Sequence, residues 1–92
     1  MSSTVEVTAV DIDFPVAQLT AKAGTVRFVY RNDGQIRHTL VIEEVPAFGK
    51  LEVNRKGDTD EGTVELRPGT YTIFCDVPGH RSAGMDAKLV VS

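Results

Sequence analysis

The fold class is decided by residues 64–75, which read Val-Glu-Leu-Arg-Pro-Gly-Thr-Tyr-Thr-Ile-Phe-Cys. Apolar and polar side chains alternate on both sides of the turn signal Pro68-Gly69. A period of two is typical of a half-buried β-strand, and a Pro-Gly pair favours a tight turn. This stretch therefore predicts two strands, 62–67 and 70–75, joined by a turn.

Short segments rich in Val, Ile, Thr, Phe and Tyr repeat this alternation along the rest of the chain. No window predicts an amphipathic helix, and residues 43–54 are the least strand-like because Pro46 and Gly49 would interrupt a helix there. The predicted strands are 4–10, 16–22, 25–31, 37–43, 50–54, 62–67, 70–75 and 86–91. Many short strands with turns every ~8–12 residues indicate an all-β, antiparallel sandwich or barrel of about 7–8 strands.

The chain has 92 residues, of which 41% are hydrophobic and 25% charged, and its net charge is −3. This length predicts a single domain over residues 1–92, because so short a chain cannot build two cores. The acidic balance argues against a nucleic-acid partner, which requires a basic face. No apolar run approaches the ~20 residues of a membrane-spanning helix, so we expect no membrane span. The first residues, MSSTVEV, lack the basic and apolar segments of a signal peptide, which predicts a cytosolic protein or a mature domain.

Cys75 is the single cysteine of the chain. One thiol excludes an intramolecular disulfide scaffold, a structural zinc site with two or more thiolates, and an iron–sulfur cluster held by four cysteines. A domain of this size without disulfides needs a well-packed core or a bound metal for its stability.

Three candidate metal ligands, Cys75, His80 and Met85, follow one another at intervals of five residues. Taken singly, a cysteine on a strand is usually a small buried hydrophobe, a methionine fills the core, and a histidine after Pro-Gly is a solvated turn residue. Together they are soft or borderline metal ligands on one strand–loop–strand segment. A turn at Pro78-Gly79 would let the three side chains converge on one point.

A second imidazole comes from His38. It is in phase with Leu40 and Ile42, so its side chain is predicted to point into the sandwich, as is that of Cys75. A buried histidine needs a partner for each ring nitrogen, either a polar group of the core or a metal. Two imidazoles, one thiolate and a weak axial thioether form the donor set of a blue-copper electron-transfer site. Zinc could bind the same imidazoles and thiolate, but it has no need of a methionine and carries no electron.

Further segments match a pattern that extends over almost the whole chain, and they are Phe14-Pro15, Thr20–Gly24, Val26–Asn32 and Leu66–Cys75. The most specific part is the Cys-x4-His-x4-Met spacing from Cys75 to Met85, together with the upstream His38. With these features the sequence resembles the cupredoxins, a family that includes the small plastocyanin- and azurin-like copper proteins of bacteria.

The resemblance implies a Greek-key β-sandwich that binds one type 1 copper ion per chain. His38, Cys75 and His80 would be the equatorial ligands, and Met85 the axial ligand. Family members often carry Asn or Asp after the first histidine ligand, where this chain has Thr39. We expect the Thr39 hydroxyl to make the corresponding link to the ligand loop, more weakly.

The function that the resemblance implies is that of a one-electron carrier with transient contacts to a redox protein donor and a redox protein acceptor. It also implies a monomer that works outside the cytosol, in the periplasm or at the outer face of the cytoplasmic membrane. Catalysis is not expected, because a catalytic copper site needs histidines beyond His38 and His80. The alternatives are a non-redox copper-binding protein such as a chaperone, and a β-sandwich interaction module in which Cys75 belongs to the core.

Three further expectations concern individual side chains. Tyr71 follows Pro-Gly-Thr and is predicted to be a corner tyrosine that ties a turn to the sandwich. The acidic run 58–61 is predicted to lie on a solvated loop. His80 is predicted to lie at the rim of the sandwich, and His38 to be enclosed.

Overall fold

The computed structural model describes residues 2–92, which form eight β-strands, one 3-10 turn and one short α-helix. The strands are β1 (Ser2–Ala9), β2 (Gln18–Ala21), β3 (Gly24–Asn32), β4 (His38–Ile42), β5 (Leu51–Val53), β6 (Thr59–Leu66), β7 (Gly69–Phe74) and β8 (Asp86–Val91). The 3-10 turn is Pro46–Phe48, and helix α1 is His80–Ala83. The predicted all-β class is confirmed, and the observed strands lie within a few residues of the predicted ones.

Two sheets form the sandwich, with strand orders β1-β3-β6 and β2-β8-β7-β4-β5. The pairs β3–β6, β4–β5, β4–β7 and β7–β8 are antiparallel, as predicted. The pairs β1–β3 and β2–β8 are parallel, so the prediction of a purely antiparallel sandwich is wrong in these two places. The reason is that β2 lies in the other sheet, so the chain returns to β3 in the direction of β1. Alternation of side chains carries no information about this direction.

The core lies between the two sheets and is filled by the side chains that alternate inward. Val26, Phe28 and Tyr30 of β3 are fully buried, and so are Leu40 and Ile42 of β4. This burial confirms the inward phase that the sequence predicted for both strands. Each large apolar side chain that is buried in this way contributes about 1.5–3 kcal/mol relative to an exposed position.

The segment between β4 and β5, residues 43–50, forms a 3-10 turn where the sequence was least strand-like. Pro46 opens the 3-10 turn, and Gly49 closes it with an N–H that donates to the Pro46 carbonyl at 3.1 Å. The Phe48 ring packs edge-to-face on Phe28, with 5.4 Å between ring centroids. This contact anchors the turn to the core.

The corner tyrosine is confirmed, since the Tyr71 hydroxyl donates to the carbonyl oxygen of Arg67 at 2.8 Å. The predicted loop over the acidic run is corrected, because residues 59–61 belong to strand β6. These residues pair with β3, and the Glu61 carboxylate accepts a hydrogen bond from Arg27 of that strand at 2.6 Å. The strand extends through these residues because their backbones pair with β3, although they show no apolar alternation.

Helix α1 is a single turn, which agrees with the absence of an amphipathic helix signal. Within residues 2–92, no helix has the length and apolar character needed to cross a membrane. The functional importance of α1 lies in its position: it follows β7 directly and begins at one of the predicted metal ligands.

Candidate metal centre

The ligand loop, defined as residues 75–85, connects β7 to β8 and contains helix α1. Its ends are held together by backbone hydrogen bonds: the Cys75 N–H donates to the Met85 carbonyl at 3.1 Å, and the Met85 N–H donates to the His80 carbonyl at 3.1 Å. Gly79 has a φ of 84°, a left-handed conformation that glycine adopts without strain. The predicted Pro-Gly turn therefore folds the loop back toward its own base.

Three of the four predicted ligands meet in the structure. One ring nitrogen of His38, the sulfur of Cys75 and one ring nitrogen of His80 all lie within 4.8 Å of one another, and all three residues are buried. The Cys75 Sγ lies 3.5 Å from the His80 Nδ1, and the two imidazole centroids are 5.1 Å apart. Strand β4 supplies His38, the first position after β7 supplies Cys75, and helix α1 supplies His80.

The two ring nitrogens of His38 differ in their surroundings. Nε2 lies 2.8 Å from Oδ1 of Asp11, and because a carboxylate only accepts, Nε2 carries the hydrogen. Nδ1 is buried, and no residue of 2–92 gives it a hydrogen bond. Leaving a buried polar atom unpaired costs about 1–3 kcal/mol, and a bound metal ion would remove this cost. Nδ1 is therefore the nitrogen that is available to a metal.

Thr39 links β4 to the ligand loop, as the sequence predicted for it. Its Oγ1 accepts a hydrogen bond from the Asp76 N–H at 2.9 Å and donates one to the Asp76 Oδ1 at 2.5 Å. Its backbone N–H donates to the Cys75 Sγ at 3.3 Å. Asp76 also pairs with Lys50 at 2.9 Å, so the residue after the cysteine is held from two directions. The sulfur is therefore held in place by a backbone donor and by its neighbour in sequence.

Met85, the predicted axial ligand, is fully buried and belongs to the apolar core cluster. Its backbone bonds to both Cys75 and His80 place it at the base of the ligand loop. A buried thioether at this point is compatible with a weak fourth donor. Its role as a ligand stays a prediction.

Both histidines are enclosed, although not equally. His38 has no exposed surface and His80 is 7% exposed, so His80 is nearer the surface as predicted but is buried rather than open to solvent. Burial, followed by repulsion from the neighbouring His38, lowers the pKa of His80. Arg81, the next residue, forms ion pairs with Glu43 and Asp86 and so holds the outer side of the loop against the sheet.

Asp11 is the residue of this site that the sequence analysis missed. The backbone N–H of Gln35 and the His38 ring both donate to its carboxylate, and they hold the pKa of Asp11 below its usual range. No spacing pattern relates Asp11 to His38, which follows 27 residues later. No signal in the sequence could have found it, because the contact depends on the parallel pairing of β1 with β3. That pairing sets Ala9 opposite Asn32 and brings the segments after both strands together.

The donor set suits a soft or borderline transition metal, since it combines two imidazole nitrogens with a single thiolate. The unpaired His38 Nδ1 shows that the described protein groups leave one donor atom of this set unsatisfied. Metal–ligand bonds to imidazole nitrogen and thiolate sulfur are about 2.0–2.3 Å long, as for zinc, so one ion holds such ligand atoms within about 4.4 Å of one another. The donor atoms of the triad all lie within 4.8 Å of one another, which is close to that spacing.

The sequence of this chain is similar to those of known proteins. Residues 1–91 match the family described as a cupredoxin-like domain. The chain is also 31% identical over 97 residues to the copper-resistant cuproprotein CopI of Rubrivivax gelatinosus, an alignment that covers 85% of this chain and 59% of that protein. The chain thus spans less than two thirds of the length of this curated relative.

Solved structures of auracyanins share the fold. The chain superposes on dithionite-reduced auracyanin from Roseiflexus castenholzii with a TM-score of 0.80 at 20% identity, covering 97% of this chain and 96% of that one. Auracyanin A of Chloroflexus aurantiacus, a blue copper protein, superposes with a TM-score of 0.81 at 23% identity, with full coverage of both chains. Auracyanin B superposes with a TM-score of 0.77 at 25% identity, covering 98% of this chain and 88% of that one. These likenesses confirm the predicted sandwich, and the match over residues 1–91 shows that the chain belongs to the cupredoxin-like domain family.

Proposed function

We propose that this chain is a mononuclear type 1 copper protein that binds one copper ion and carries single electrons between redox proteins. The observation that supports this most directly is the convergence of buried donor atoms from His38, Cys75 and His80 within 4.8 Å. These three residues are the proposed equatorial ligands, and Met85 is the proposed axial ligand. Two imidazoles, a thiolate and a weak thioether are the donor set of blue-copper sites.

Bound copper would supply a one-electron change between Cu(II) and Cu(I). The residues of the chain would keep the donor atoms in position during that change. The backbone closure between Cys75 and Met85 and the Thr39–Asp76 link both act on the ligand loop without a metal. Because the triad is assembled by the fold itself, little rearrangement is needed when the charge of the site changes.

The partners that fit this role are a redox protein donor and a redox protein acceptor, each in transient contact. The His80 side of the site, where 7% of the histidine surface remains exposed, is the proposed route for the electron. We propose a monomer with one domain over residues 1–92 that works outside the cytosol, where copper is available. No catalysis is proposed, because both histidines of the chain serve as ligands.

A second candidate function is copper handling without electron exchange. It is favoured by the 31% identity to a copper-resistant cuproprotein. In that role the same four ligands would hold the metal, and reduction would not need to be fast or reversible.

Copper titration followed by visible absorption and paramagnetic resonance tests the proposed site. One Cu(II) per chain and an intense thiolate charge-transfer band are expected. Tight Zn²⁺ binding with no coloured copper form would contradict the assignment. Repeated reduction and oxidation then separates the two functions, since a carrier cycles without losing metal, whereas slow reduction with metal release would favour copper handling.

A further inference from the structure

We propose that Asp11 is a positioning residue of the metal centre: it holds His38 as the Nε2–H tautomer, and its negative charge favours the oxidised ion. This inference rests on the proposed copper site for its second half only. Its first half concerns the metal-free chain, because the hydrogen bond between Asp11 and His38 is present without a metal.

The Asp11 carboxylate is held at both of its oxygens. Oδ1 accepts from the His38 Nε2 at 2.8 Å, and Oδ2 accepts from the backbone N–H of Gln35 at 2.7 Å. The short loop that carries Asp11 is closed by reciprocal backbone hydrogen bonds between Val10 and Asp13, at 3.0 and 3.1 Å. A carboxylate that is fixed in this way cannot turn away from the imidazole without breaking several hydrogen bonds.

The segment opposite Asp11 is shaped to admit it. A Cβ atom on Gly34 would lie only 2.9 Å from the backbone nitrogen of Asp11, closer than real Cβ atoms approach other heavy atoms. The Gly34 N–H donates to the Asn32 side chain at 2.8 Å, which holds this segment in place. Glycine is therefore required here by the close approach of Asp11.

The same loop also reaches the ligand loop on its other side. A Cβ atom on Gly84 would lie 3.0 Å from the Asp13 Oδ1 and 3.7 Å from the Ile12 carbonyl oxygen. Residues 10–13 thus contact both the segment that precedes His38 and the segment that precedes Met85. A shift of residues 10–13 would therefore displace both the segment before His38 and the segment before Met85.

Two consequences follow for His38. With the hydrogen fixed on Nε2, the lone pair is fixed on Nδ1, the buried nitrogen that has no partner among residues 2–92.

A carboxylate that is hydrogen-bonded to the far nitrogen of a ligating histidine also raises the basicity of that histidine. Removal of such a carboxylate typically lowers metal affinity by about 10–100-fold. Because the oxidised site carries one more positive charge, Cu(II) should lose more affinity than Cu(I). Each tenfold difference raises the reduction potential by about 59 mV.

The first test uses nitrogen-15 NMR of the metal-free wild-type chain and the Asp11→Ala variant. We expect one protonated nitrogen, Nε2, on His38 in the wild type, and a mixture of tautomers in the variant. A dominant Nδ1–H form in the wild type would overturn the proposal without any variant. This result does not depend on copper, so a chain that shows the expected tautomer but binds no copper would refute the proposed function alone.

The second test compares Asp11→Asn with Asp33→Asn in the copper-loaded protein. Asp33 is exposed and close in sequence to Gly34, so its replacement removes the same charge without touching the His38 hydrogen bond. We expect Asp11→Asn to lower Cu(II) affinity by about 10–100-fold and to raise the potential, with a much smaller change for Asp33→Asn. Gly34→Ala should reproduce the Asp11→Asn shift. Equal shifts in the two aspartate variants would show that only the net charge matters and would overturn the proposal.

Discussion

The two sides of the metal centre are built in different ways. The ligand loop carries three of the proposed ligands, Cys75, His80 and Met85, in one short segment, and backbone hydrogen bonds within that segment close it. The other side, which we call the scaffold side, supplies only His38. It orients this histidine through Asp11 and connects it to the loop through Thr39.

The difference lies in the range and type of the hydrogen bonds. On the scaffold side, side chains make the bonds, and the partners are 27 residues apart for Asp11 and His38 and 37 residues apart for Thr39 and Asp76. In the ligand loop, the bonds join backbone groups separated by only five or ten residues, as from Met85 to His80 and from Cys75 to Met85. Substitutions of the proposed ligands in the loop should therefore remove donor atoms. Substitutions of Asp11 or Thr39 on the scaffold side should instead change the position of His38 or of the loop.

The largest expected effect is that of Cys75→Ser in the ligand loop. An alcohol cannot supply the thiolate donor, so the intense charge-transfer band of the copper-loaded protein should disappear. Visible absorption and paramagnetic resonance measure this directly. Ser82→Ala, which changes a hydroxyl in the same loop without removing a proposed donor, should keep the band. Full retention of the band in the serine variant would show that the sulfur is not a ligand.

Copper itself should stabilise the fold because it joins the two sides of the centre. A ligand present at 100 times its dissociation constant adds about 2.7 kcal/mol, which corresponds to roughly 10–20 °C in the melting temperature of a domain this small. Thermal melts followed by circular dichroism compare the metal-free and copper-loaded forms. In the Cys75→Ser variant, copper should raise the melting temperature much less. Coincident melting curves for the wild type with and without copper would argue against a site shared by several strands.

Thr39→Val tests the link between the two sides without removing a donor atom. Valine has the shape of threonine but cannot bond to the Asp76 backbone or side chain, so we expect a loss of about 1 kcal/mol in the metal-free protein. Urea unfolding measures this loss. Thr39→Ser, which restores the hydroxyl, should recover most of it. If Thr39→Val and Thr39→Ser have the same free energy of unfolding, the Thr39 hydroxyl does not stabilise the link to the ligand loop.

The smallest effect at neutral pH is expected at Tyr30, a core position on β3 that belongs to neither side. Burial raises the pKa of Tyr30, and the nearby Cys75 adds to the rise. The folded chain therefore keeps the phenolic proton, while the unfolded chain releases it near pH 10. Stability should fall as the pH rises above about 10, and Tyr30→Phe should remove this part of the dependence. Urea unfolding between pH 8 and 11 provides the measurement.

The same variant has a second readout at neutral pH. The Tyr30 hydroxyl is buried and has no hydrogen-bond partner among the residues that the structure describes. Its removal should therefore leave the stability unchanged or raise it by up to about 1 kcal/mol. A loss of more than 1 kcal/mol would indicate that the hydroxyl has a partner, such as an internal water molecule.

Local patterns in the sequence determined most of each strand, the inward faces of β3 and β4 and the corner role of Tyr71. They also indicated the spacing of the ligand loop. These features depend on a period of two and on turn chemistry, both of which act between residues that are close in the chain. The burial of Tyr30, His38 and Cys75 follows from them directly, because each lies in phase with apolar neighbours.

Only the tertiary structure decided which strands run parallel, that Asp11 meets His38, and that His80 is buried. The direction of β3 relative to β1 depends on which sheet receives β2, and side-chain alternation is the same in either case. That direction brings the segment after Ala9 beside the segment after Asn32, and so sets a carboxylate against the far nitrogen of His38. Such contacts join residues that are distant in the chain and leave no periodic trace, so the sequence indicated candidate donor atoms, while the packing of the two sheets determined how those side chains are held.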